Sequence, residues 1–133
     1  MKIALAELGT MEVPGIENNK RILEYHKAAG VHNLSDAVPW CGSYVSFCMK
    51  SIGQILPNSP WVSRMWMGWG VGITQPSFGC VVVLKRGKTE WTGHVGFLMD
   101  ENKDDFVLVS GNVNNAVRIS KFPKSDLLGM RWI

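Results

Sequence analysis

The chain has 133 residues, 46% of them hydrophobic and 19% charged, and a formal net charge of +3. That length suits one domain around a single core, and the composition excludes a disordered chain. The longest purely apolar run, Val81 to Leu84, is far short of the roughly 20 residues of a membrane-spanning helix. No basic block exceeds Lys85-Arg86, so neither a membrane span nor nucleic-acid binding is expected.

Residues 2–8 are strong helix formers and predict a first helix. The apolar stretch Ile3 to Ala6 stops at Glu7, too short for the core of an export signal. Synthesis in the cytoplasm is therefore expected, with a separate route to any site of action outside. Pro14-Gly15 predicts a break. Asn18 or Asn19 can cap a second helix carrying Ile22, Leu23, His26 and Ala29, closed by Gly30. Pro39-Trp40-Cys41 opens a third. There Cys41, Tyr44, Val45, Cys48, Met49 and Ile52 recur at helical spacing, and Gly53 ends it. A shorter helix from Pro60 to Trp69 would set Trp61, Met65 and Trp69 on one side, a pattern that reads as core.

The period then changes. Gly79 to Lys85 is a continuous apolar strand, so both its faces should be buried. Gly93 to Met99 alternates, with His94, Gly96 and Leu98 on one face and Val95, Phe97 and Met99 on the other. Residues 102–105 read as a hairpin turn, Phe106 to Asn112 as a strand, and Asn114-Asn115 as a second turn. Ala116 to Ser120 returns with Val117 and Ile119 inward, and Leu128 to Trp132 is a last strand. Short strands joined by tight turns pair antiparallel. The expectation is an α+β fold, with N-terminal helices packed on one face of an antiparallel sheet of about five strands. Residues 1–133 are read as one catalytic domain, without a separate wall-binding domain.

Chemistry centres on cysteine. Cys41, Cys48 and Cys80 are odd in number and form no C-x-x-C pair, which argues against a disulfide framework or a zinc site. Cys41 lies in the first turn of a helix, where unpaired N–H groups and the helix dipole favour a thiolate. Cys48 lies two turns deeper and reads as buried and inert. A nucleophilic thiol needs a base, and the histidines are His26, His32 and His94. His26 and His32 read as ordinary core or surface residues. His94 begins a strand between Gly93 and Gly96, and the missing side chain at Gly96 leaves room for another element, such as the start of the Cys41 helix. Asn112, across the hairpin, can accept the second ring N–H and fix the tautomer. Taken alone Asn112 reads first as a turn residue before Asn114-Asn115, and Ser110 on the same face is the weaker candidate for the orienting role.

Pro-Trp-Cys at 39–41, Gly-His-Val-Gly-Phe at 93–97 and Ser-Gly-Asn at 110–112 together resemble the CHAP/NlpC-type cysteine peptidases that cut peptidoglycan. Ala-Leu-Ala-Glu-Leu near the start, Ile-Leu-Glu-Tyr at 22–25 and the final Phe-Pro-Lys-Ser-Asp-Leu-Leu-Gly-Met-Arg-Trp resemble a phage and prophage subgroup. The resemblance implies a papain-like core with Cys41 as nucleophile, His94 as base and Asn112 as the residue that orients it. The sequence has no acidic cluster like the calcium loop of some CHAP enzymes, so no metal and no cofactor are expected. The chain departs from the family pattern at Val113, where a polar residue is usual, and at Ser77-Phe78-Gly79, where Pro-Gly-Asp is usual. Trp40, beside Cys41, is taken as a wall of the substrate cleft. On this reading the protein is an endolysin that cleaves a stem or cross-link amide through a thioester. A holin-type partner would then let it reach the wall. Two alternatives stand beside it: an injected antibacterial effector with an immunity partner, and a wall-binding module without turnover.

Overall fold

The computed structural model describes residues 1–13, 18–32 and 35–133. Among these residues three α-helices, α1 (Lys2–Ala6), α2 (Lys20–Ala28) and α3 (Cys41–Ser51), precede the strands. Asn19 caps α2, its side-chain oxygen accepting from the Arg21 N–H at 2.8 Å. Gly30 and Gly53 follow α2 and α3 with φ of +83° and +79°, the left-handed turn that ends a helix cheaply only at glycine. The expected break at Pro14-Gly15 lies outside the described residues.

Among the described residues six strands follow: β1 (Val71–Ile73), β2 (Val81–Lys85), β3 (Gly93–Glu101), β4 (Asp105–Val113), β5 (Ala116–Pro123) and β6 (Leu127–Trp132). They form one sheet in the order β1-β6-β2-β3-β4-β5, and every neighbouring pair is antiparallel. The fold is the expected α+β arrangement with one strand more. That strand, β1, is three residues long, has glycine at its centre and is mostly exposed, so it carries no apolar alternation to reveal it. The two hairpin turns are built as their residues suggest. Asn102 Oδ1 accepts from the N–H groups of Asp104 and Asp105 at 2.9 and 2.8 Å. Asn114 and Asn115 both take positive φ, which a two-residue hairpin loop requires and asparagine tolerates.

Both faces of β2 are buried, for two different reasons. Val81 and Val83 join Val95, Phe97 and Val109 against Tyr44, Val45 and Cys48 of α3. Val82 and Leu84 join Leu98, Leu108 and Met130 in a second cluster on the other face. Ile73, Phe122 and Leu127, all from strands, pack against that second cluster. Each fully buried large side chain contributes roughly 1.5–3 kcal/mol, so a core of this extent needs no cross-link. All three cysteines are free and buried.

Two packing expectations are corrected. Residues Ser63–Gly68 form a 3-10 helix, not an α-helix. Its period is three residues, so Ser63, Trp66 and Trp69 turn inward while Trp61 and Met65 are exposed. Trp66 and Trp69 each donate an indole N–H to a backbone carbonyl, of Pro60 and Ile55, at 2.9 Å. Ile119 shares the face of Val117 but is 44% exposed, because it lies on the edge strand β5.

Candidate active site

Helix α3 starts at Cys41, after Trp40, which offers no side-chain cap. The first-turn N–H groups therefore keep their capacity to bind charge. Two glycines let this helix start sit deep in the fold. A Cβ on Gly42 would lie 2.6 Å from the Trp61 carbonyl oxygen, so the segment Pro60-Trp61 packs directly on the helix backbone. A Cβ on Gly111 would lie 2.7 Å from the Trp40 ring and 2.8 Å from Tyr44 Cβ, so β4 receives the helix start at Gly111. Trp40 Nε1 donates to Glu12 Oε1 at 2.9 Å, and Tyr44 OH to the Ala4 carbonyl at 2.7 Å.

Trp40 is thus fully buried. It holds the helix on the sheet and presents no surface to a substrate, which corrects its expected place in the cleft wall. Cys41 instead opens into a cavity of about 420 Å³ walled by Pro39, Trp61, Trp91, Thr92, Arg86 and Asn112. Trp61 and Trp91 are 41% and 74% exposed, so they are the tryptophans available to a ligand there.

His94 is the second residue of β3, directly across from Leu84 of β2. Its Nε2 lies 2.8 Å from Ser110 Oγ, with both residues buried. Its ring stacks on Phe122, centroids 4.8 Å apart and planes 22° apart. Gly96 makes the Ser110 contact possible. A Cβ there would lie 2.7 Å from Ser110 Cβ, so the space beside His94 admits the serine of the next strand, not the Cys41 helix. The hydrogen bond expected of Asn112 is therefore made by Ser110. Asn112 takes φ of +61° where the β4–β5 register shifts, and it lines both the Cys41 cavity and a neighbouring cavity of about 290 Å³ that holds His94.

The electrostatics favour a neutral resting pair. Burial pushes the Cys41 thiol up, outweighing the N–H groups of Val95 and Gly42 and the charge of Arg86, which act the other way. The low thiol pKa expected from the helix start is not reached, because desolvation of the thiolate exceeds what those dipoles return. Burial pushes His94 down to about 4, with Arg86 adding to the effect. The thiol faces the Val95 N–H while the imidazole is held by Ser110. Cys41 thus lies against Val95, the β3 neighbour of His94, while the imidazole is engaged with Ser110 on β4, and among the described residues no hydrogen bond joins the thiol to the ring.

The other histidines stand apart. His26 is buried in α2, with Nδ1 2.8 Å from Ser43 Oγ in the first turn of α3, and His32 is exposed. Among the described residues no three His, Cys, Asp or Glu side chains gather as metal ligands would. Trp91, which the sequence places on the loop before His94, and Arg86 join the site, and one sequence signal points to them. They belong to the loop joining β2 to β3, and an antiparallel hairpin must bring that loop beside the first residues of β3.

A cysteine at a helix start and a histidine at a strand start, over an antiparallel sheet, define a papain-like α+β domain. A model of the CHAP domain matches residues 33–112, more than half of the chain, and the match includes Cys41, His94, Ser110 and Asn112. The chain belongs to the CHAP domain family, whose members are typically cysteine peptidases or amidases acting on peptidoglycan. No curated protein matches the chain.

Proposed function

We propose that the protein is a peptidoglycan hydrolase that cleaves an amide of the peptide stem or cross-link through a cysteine thioester. The observation that supports the reading is that Cys41 and His94 line two cavities that have Asn112 and Arg86 in common. His94 is neutral and can accept a proton, and Ser110 fixes one of its nitrogens. In the reaction His94 takes the Cys41 proton and the thiolate attacks the amide carbonyl. First-turn N–H groups of α3 hold the oxyanion, each such donor being worth ~10²–10³ in rate. His94 then protonates the leaving amine, and water hydrolyses the thioester. Hydrogen bonds of this kind tighten in the substrate complex, so separate partners for thiol and ring in the free protein are compatible with the mechanism.

We assign the enzyme an endolysin role in a phage or prophage. That assignment rests on the sequence resemblance to that subgroup along nearly the whole chain. Purified sacculi incubated with wild type and with Cys41→Ala test the reading. Fragments released by wild type alone support a cysteine hydrolase, and their masses name the bond. Sacculi that bind both proteins but release nothing would overturn it in favour of a binding module.

A further inference from the structure

Arg86 follows β2 directly, is exposed, and lines both the Cys41 and the His94 cavities. Among the described residues lining the Cys41 cavity it alone carries a charge. Among the described residues it forms no ion pair. In the His94 cavity Lys85 adds a second positive charge and Asp126 a negative one, so the balance there is also positive. A guanidinium is a fork of donors shaped for carboxylates, and it favours a free carboxylate strongly over a neutral amide.

We infer that Arg86 is the specificity residue of this site, pairing with a free carboxylate of an acidic stem peptide next to the scissile amide. The inference rests on the proposed peptidoglycan hydrolysis and names the substrate class within it. Stems whose carboxylates are amidated are then poor substrates. Besides the aromatic sides, Trp61 and Trp91, the cavity offers the neutral polar groups of Ser63, Thr92 and Asn112, and the guanidinium is the group whose charge separates a carboxylate from an amide. Arg86 is a binding residue in this account, and its loss acts on KM.

The test compares two soluble muropeptides, one with every stem carboxylate free and one with all of them amidated. Wild type should cleave the free form about 10- to 100-fold better in kcat/KM, the worth of one charge-assisted hydrogen bond. Arg86→Gln should bring the ratio to within about threefold, through KM, and Arg86→Lys should restore part of it. Because the side chain is exposed, circular dichroism and melting should match wild type. A wild type that cleaves both forms equally overturns the inference and leaves the hydrolase reading standing. So does an Arg86→Gln that loses kcat equally on both, since Arg86 would then act on the thiol and imidazole and not on the substrate. A wild type that cleaves neither form overturns the inference together with the hydrolase reading.

Discussion

Replacing Ser110 by alanine separates the two readings of how His94 is held. Ser110 is fully buried, His94 is 4% exposed, and 2.8 Å separates their polar atoms. With the hydroxyl gone, Nε2 faces a buried wall, and leaving such a group unpaired costs ~1–3 kcal/mol. For 133 residues the unfolding entropy is about 0.28 kcal/mol per kelvin, so melting should fall by roughly 4–11 °C. On the proposed mechanism the same energy holds the ring in position to take the thiol proton, so its loss in the transition state should lower turnover by about 10- to 100-fold. Asn112→Ala should do less, because Asn112 is only half-buried and Ser110 already occupies Nε2. The assay is melting together with fragment release from sacculi, read as kcat and KM on a soluble fragment. Wild-type melting and turnover in Ser110→Ala, with turnover lost in Asn112→Ala, would refute the assignment of Ser110 as the positioning residue.

Gly96→Ala should destabilise the fold by ~1–3 kcal/mol and displace Ser110, because the added methyl meets Ser110 Cβ at 2.7 Å and the Val109 carbonyl at 2.9 Å. Its activity should fall with that of Ser110→Ala, and the double variant should lose less than the two single losses together. Full additivity in melting would contradict the shared contact. Stability should also depend on mildly acidic pH. The folded chain holds His94 neutral down to about pH 4, whereas an unfolded histidine binds a proton near 6.5. The unfolded state thus binds more protons in between. The His94 contribution is complete above pH 6.5 and is lost as pH falls toward 4, at up to about 1.4 kcal/mol per pH unit. His26, pushed down by its own burial, adds in the same direction. Urea midpoints at pH 7.5 and 5 should fall more steeply in wild type than in His94→Gln; equal slopes would count against a buried neutral ring at position 94.

Local patterns made most of this molecule legible. The apolar stripe after Pro39, the run at 79–85, the alternation at 93–99 and the paired asparagines each depend on periodicity and turn chemistry, which are properties of neighbouring residues. By the same route the sequence determined that Cys41 begins a helix and His94 begins a strand. The tertiary structure decided the rest. Whether Trp40 faces solvent or Gly111, and whether Ser110 or Asn112 meets the imidazole, depends on close approaches between elements far apart in the chain. Glycines at 42, 96 and 111 permit those approaches, but an absent side chain does not say which neighbour will fill its space. The thiol's protonation likewise turned on burial, a sum over the whole packed domain, and burial outweighed the helix-start effect that one segment alone suggests.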